Sequence, residues 1–440
     1  MQMGMNSERR FNPPCGPVIG RVAGPVVKAS GIPYARAQRF QPPHPVADWS
    51  EPCLAMDPAP ACPQWRIREL ESVSGSQTGG LPQREDCQNL TVTLPKDLQD
   101  GELLPVMVWI HGGSYITGAG DAPIYDPAAL VSEQRVVVVA VTYRLGAFGY
   151  LGGPGRTANL GLCDQLSALE WVQRNIASFG GDPDAVTVFG QSAGGDAVAH
   201  LMATPRAATL FRRAIMQSPP LGISRGRAKM TAAMSAAGPQ LSDQASVKEV
   251  LQLQEKARVA GARFGLRGLM PFGPAFGASP LPAETQVDDA WRAVAPHIDI
   301  MITHTAEETR LFIPVAHPVS WVREIPVLGA GATRLLSALA TRLIYVTGIR
   351  SFLRRHSRAG GRAHYFVVRW AAPGNFYGAA HGIDLALLFG TRENTAGLEM
   401  LQGASWEELQ EAGRAVRALW AGFARGTRLP ERGSIPGGSA

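Results

Sequence analysis

A chain of 440 residues that is 45% hydrophobic and 18% charged can build a large buried core, and its length alone leaves the number of domains open. The formal charge of +6 rests on 37 arginines against five lysines, in short clusters such as Arg212-Arg213 and Arg354-Arg355 with no aromatic stripe between them. That scatter argues against the concentrated basic face of a nucleic-acid binder.

In chain order, the opening MQMGMNSERRFNPPC lacks the continuous apolar stretch of a signal peptide. The five cysteines (15, 53, 62, 87 and 163) are too few for a disulfide scaffold and lack the C-x-x-C spacing of a metal site. Short apolar runs at 106–110, 136–143, 186–189, 298–302 and 365–368 are rich in Val and Ile and bounded by Gly, Asp or Pro, as expected of strands covered on both faces. Between them, residues 164–177 carry Leu166, Leu169, Val172 and Ile176 at helical spacing. This alternation predicts an α/β fold with a mostly parallel central sheet flanked by helices.

Residues 222–270 and 313–362 fit the alternation less well and read as cap elements over a site, or as surface helices. The segment 325–349 is weakly apolar, but Arg334 and Arg342 interrupt it, and a membrane span stays nearly uncharged over ~20 residues. Residues 430–440 read as a frayed tail. The expectation is one soluble domain over 1–440, cytoplasmic and without stable membrane insertion.

Two motifs carry chemistry. Residues 187–200, TVFGQSAGGDAVAH, place G-x-S-x-G between a strand and a helix, the setting of a nucleophile elbow with Ser192 at its apex. Any Cβ at 190 or 194 should collide with the neighbouring strand or helix. Residues 106–118, VMVWIHGGSYITG, run a strand into His111-Gly112-Gly113-Ser114, the oxyanion-loop pattern of lipases and esterases. The expected oxyanion donors are the N–H groups of Gly113, Ser114 and Ala193.

Together with GIPYA (31–35), RFQPP (39–43), ACPQ (61–64), EDCQNLTV (85–92), TYRLGAFGYL (142–151) and the run 159–183, these motifs make the chain resemble the type-B carboxylesterases. That family includes cholinesterases and bacterial para-nitrobenzyl esterases. Weaker matches follow in order: GPAFGASPLP (273–282), TAEETRLF (305–312), GAAHG (378–382) and WAGFARG (420–426).

The resemblance implies the α/β-hydrolase fold and a serine carboxylesterase acting on neutral short- to medium-chain esters, with no cofactor or metal. It assigns the nucleophile to Ser192, the acid to Glu308 and the base to His381. Among the histidines downstream of Glu308, only His381 lies in a Gly/Ala-rich turn. Physics alone does not separate Glu308 from Glu307. The resemblance also pairs Cys62 with Cys87, a bridge that would stabilise by ~3 kcal/mol on a chain-entropy model. In a reducing compartment it implies neighbouring thiols that bond only on oxidation.

Three features depart from the family pattern. Gln191 stands where cholinesterases carry glutamate, Ser114 stands where Gly or Ala is usual, and the segment from Glu308 to His381 is short. Amide or carbamate hydrolysis by the same triad is one alternative. A non-catalytic binding protein on this fold is another, although such proteins usually lose the serine or histidine. Oligomeric state and substrate stay open.

Overall fold

The computed structural model describes residues 8–239, 241, 244–315 and 329–435. Its strands in chain order are β1 (Glu8–Phe11), β2 (Val18–Ala23), β3 (Val26–Pro33), β4 (Ala35–Arg36), β5 (His44–Pro45), β6 (Cys53–Ala55) and β7 (Asn89–Pro95). They continue with β8 (Leu104–Ile110), β9 (Val137–Val141), β10 (Gly181–Gln191), β11 (Arg213–Gln217), β12 (Asp299–Thr305), β13 (Ala363–Val368) and β14 (Arg432–Ile435). Apart from the small β4–β5 pair, all join one sheet in the order β1-β2-β3-β7-β9-β8-β10-β11-β12-β13-β14, with β6 added against β2. From β9 to β14 every pairing is parallel, whereas the chain from β1 to β9 along the sheet is antiparallel.

The expected mostly parallel sheet is therefore present, and its central strands are buried on both faces. Along β8, Val106, Val108 and Ile110 enter one apolar core while Met107 and Trp109 enter the other. β9 divides Val137, Val139 and Val141 from Val138 and Ala140 in the same way. Strand side chains alternate faces, so an unbroken apolar run feeds a core on each side. Helices Leu160–Asn175 and Ala193–Met202 cover one face, and Ile383–Phe389 and Trp406–Ala424 cover the other.

One expectation needs adjustment. Residues 432–435 are not frayed: they pair with β13 in parallel register, Val368 opposite Ile435, and Ile435 is buried. Backbone pairing with a strand edge needs only one apolar anchor, which that polar stretch supplies. Residues 436–440 lie outside the described residues. In 222–270, helices Ala228–Ser235 and Val247–Ala262 form, the latter started by a capping box between Ser246 and Glu249. Gln254 from this helix accepts a hydrogen bond from the Ala147 amide at 3.1 Å, which seats it beside the segment Gly146–Gly149.

The part of 313–362 that is described holds helix Gly329–Thr341, a π-helical turn Arg342–Val346 and helix Thr347–Arg358. Residues 316–328 of that region lie outside the described residues, as do 240, 242 and 243. Among the described residues, no helix is long and apolar enough to cross a membrane.

Candidate active site

Strand β10 ends at Gln191 and a helix begins at Ala193, so Ser192 must turn the chain through a sharp corner. It does so at φ 57° and ψ −122°, a conformation costly for a residue with a β-carbon. The surroundings hold it there: Ser192 N–H donates to the Gln217 carbonyl on β11 at 2.8 Å, and the Ser192 carbonyl accepts from Asp196 N–H at 2.9 Å. The flanking glycines are required. A Cβ at Gly194 would stand 2.0 Å from the Ile110 carbonyl oxygen, and one at Gly190 2.6 Å from the Gly194 backbone.

The loop after β8 is equally constrained. Gly113, Ser114 and Tyr115 all take positive φ, at 102°, 54° and 60°. Only the first is a glycine, so this loop stores strain. Side chains fix it: Tyr115 Oη donates to Asp196 at 2.7 Å, and Tyr143 Oη donates to the His111 carbonyl at 2.7 Å. Gln64 Oε1 accepts from both Thr117 Oγ1 and Gly118 N–H, at 2.6 and 2.7 Å. The His111 ring is buried against Tyr143, and burial pushes it down to about 4, so it is neutral at ordinary pH. Among the described residues, none of the N–H groups of Gly113, Ser114 and Ala193 donates to a protein acceptor. Gly113 and Ser114 line the same cleft as Ser192, and the N–H of Ala193 opens a helix, where partial positive charge collects.

His381 enters from the turn before helix Ile383–Phe389. Its Nδ1 lies 2.5 Å from Glu308 Oε2, and its N–H donates to the Glu308 carbonyl at 3.2 Å. Glu308 is fully buried just past β12, and its other oxygen accepts from Thr305 N–H at 2.7 Å. Burial alone pushes this carboxyl up, but the charge and hydrogen bond of His381, with His304 beyond, outweigh it and hold it below the usual carboxylate range. Glu307 points elsewhere: it pairs with Arg310 at 3.2 Å and accepts from Ala379 N–H at 3.1 Å. The geometry thus brings Ser192 and His381 into one cleft, with Glu308 buried against His381, and leaves Glu307 outside the pair. Phe312 and Tyr345 rings flank the imidazole at 5.5 and 5.6 Å.

The cleft over Ser192 contains elements that the sequence did not advertise. Its outer wall is the short helix Arg68–Ser74 with Arg66 and Ile67 before it, and Leu311, Phe312 and Leu385 close the other side. Among the described residues, none from 222–270 lines it. Arg66 and Glu71 form an ion pair at the rim, with Arg66 Nε 3.0 Å from Glu71 Oε1. Next to the Ser192 turn, Gln217 donates to the buried Asp384 at 2.6 Å and accepts from Trp420 Nε1 at 3.2 Å. Cys62 and Cys87 are fully buried free thiols in contact with each other, and that contact and burial push Cys87 well above the usual thiol range.

A serine and an imidazole in one cleft, the imidazole paired with a buried carboxyl, beside unengaged N–H groups have the parts for acyl transfer through a covalent intermediate. Comparison with known proteins agrees. Residues 8–322 match the model of the Carboxylesterase family. Among curated proteins, the para-nitrobenzyl esterase of Bacillus subtilis (strain 168) is 34% identical across 93% of this chain and 88% of its own length. A Rhodococcus erythropolis protein named "Probable N-octanoylanthranilate hydrolase AqdA2" is 36% identical across 95% of this chain and 93% of its own. Among solved structures, a thermophilic PNB esterase superposes with a TM-score of 0.80 at 28% identity, covering 96% of this chain and 91% of its own.

Proposed function

The chain belongs to the carboxylesterase family and is a serine carboxylic-ester hydrolase, and from that premise we propose that Ser192 is its nucleophile, His381 its general base and Glu308 the acid that orients the imidazole. The observation that carries the reading is the 2.5 Å contact between Glu308 and His381 Nδ1 in the cleft that Ser192 lines. With Nδ1–H donated to Glu308, Nε2 of the neutral ring is left with its lone pair and accepts the Ser192 proton as Oγ attacks the ester carbonyl. Negative charge then grows on the former carbonyl oxygen, within reach of the N–H groups of Gly113, Ser114 and Ala193. His381 passes its proton to the departing alcohol, and water releases the acid from the acyl-enzyme by the same steps.

The substrate we infer is a neutral ester of short to medium chain. The walls are apolar (Ile67, Leu70, Leu311, Phe312 and Leu385), Arg66 and Glu71 offset each other at the rim, and residue 191 is an uncharged amide. Butyrylcholine should therefore be a poorer substrate than a neutral butyrate ester with a similar leaving group. One finding favours a second reading, hydrolysis of an N-acyl amide: the Rhodococcus relative is named for N-octanoylanthranilate.

Replacing each glutamate by its amide tests the acid assignment. Glu308→Gln should lower kcat about 10⁴-fold, by analogy with loss of a triad aspartate, while Glu307→Gln should change it little. A larger loss at 307, or equal activity in both variants, contradicts the assignment.

A further inference from the structure

We infer that Gln191 is a positioning residue for the base: its side-chain amide donates to Nε2 of His381 and competes with Ser192 for the same lone pair. The two side-chain nitrogens lie 3.1 Å apart, and among the described residues no hydrogen bond joins Ser192 Oγ to the imidazole. Gln191 is 4% exposed, and its amide oxygen lies beside Gly112. A Cβ at residue 112 would approach Gln191 Oε1 to 3.0 Å and its carbonyl oxygen to 2.7 Å, so Gly112 makes the space for it.

The proton inventory around the ring gives this contact its direction. Glu308 is an acceptor, so Nδ1 carries the proton and Nε2 of the neutral ring accepts from the Gln191 amide. Once Nε2 is protonated, two donors face each other and the bond is lost, so the contact favours the base form. The other titratable groups facing His381 are Glu308 after β12, Asp384 on helix Ile383–Phe389 and Tyr345 on the π-helical turn. Gln191 is the contribution of β10, and it sits beside the nitrogen that must take the serine proton. For reaction, Nε2 must exchange the amide for Ser192 Oγ. A carboxylate at 191 would do the opposite, because it would accept from the protonated ring.

The inference rests on the proposed triad. Gln191→Met and Gln191→Leu remove the donor without adding charge, and Gln191→Glu adds charge. The readouts are the pH profile of kcat/KM on a neutral para-nitrophenyl ester and the plateau rate at which a fluorophosphonate labels Ser192. Both neutral variants should move the acidic limb up by about half to one pH unit, the worth of one hydrogen bond to the neutral form, and speed plateau labelling. Gln191→Glu should move the limb further, by about one to two units.

A limb that stays in place in the neutral variants, with or without a shift in Gln191→Glu, overturns the inference. Slower plateau labelling in a folded neutral variant overturns it as well. Failure of the triad itself would look different: the wild type would carry no label on Ser192, or His381→Asn would keep full activity.

Discussion

Asp384 is the buried carboxyl most exposed to pH among those around the triad, and its position explains why the chain tolerates it. Gln217 donates to it from β11 while the Gln217 backbone carbonyl receives the N–H of Ser192, so one glutamine ties the nucleophile's turn to the helix beneath His381. Burial, opposed by that hydrogen bond and reinforced by Glu308, pushes Asp384 up from 3.8 to about 6. The folded state therefore holds this proton more tightly than the unfolded chain. Stability is greatest with the carboxyl protonated and declines as pH rises from about 4 through 6. A shift of roughly two units corresponds to about 3 kcal/mol at most. Asp384→Asn keeps an acceptor for Gln217 and removes the charge. Its unfolding free energy in urea should exceed that of the wild type by about 1–3 kcal/mol at pH 8 and differ little at pH 4. An equal change at both pH values would contradict this account of Asp384.

The π-helical turn Arg342–Val346 interrupts a long helix at the point where Tyr345 reaches the imidazole, and such turns often occur at functional sites. Tyr345 is 4% exposed, and its ring lies 5.6 Å from that of His381. Tyr345→Phe should keep kcat/KM within about two-fold, whereas Tyr345→Ala should lose about 3–5 kcal/mol of stability and activity with it. A large loss in the Phe variant would assign the role to the hydroxyl.

Elements differed in how far they could be read from sequence. β8, β9, β12 and the second half of β10 announced themselves because burial on both faces demands unbroken apolar runs, and half-buried β13 did so through the aromatic and β-branched run Tyr365 to Val368. β1 and β2 did not: their burial alternates unevenly and each carries exposed arginine. The cleft wall, RELESVS at Arg68–Ser74, buries only Val73, so its sequence looks like surface. Ser192 was legible because a nucleophile's turn needs local glycines. Glu308 was separated from Glu307 only by resemblance, since the choice depends on how the turn after β12 rotates. The pairs Gln191 with His381 and Gln217 with Asp384 lie 190 and 167 residues apart, and no local pattern records them.

At the scale of the whole molecule, the parallel half of the sheet is what assembles the site. β8 runs into the loop of Gly113 and Ser114, β10 into Ser192 and β12 ends just before Glu308, while the chain beyond β13 returns with His381. Parallel strands bring these ends to one edge, the usual place for a site in an α/β sheet. Two cores packed on opposite faces support the strands from which the strained serine and the strained loop emerge. The central claim is that ester hydrolysis runs through Ser192, activated by His381 and Glu308. Its most direct test is fluorophosphonate labelling of the purified chain, followed by peptide mass spectrometry and a hydrolysis assay on the same sample. The account predicts one adduct per chain, on Ser192, with hydrolysis lost in proportion to labelling, and much slower labelling in His381→Asn and Glu308→Gln. An adduct on another residue, or hydrolysis that persists after Ser192 is fully modified, would contradict it.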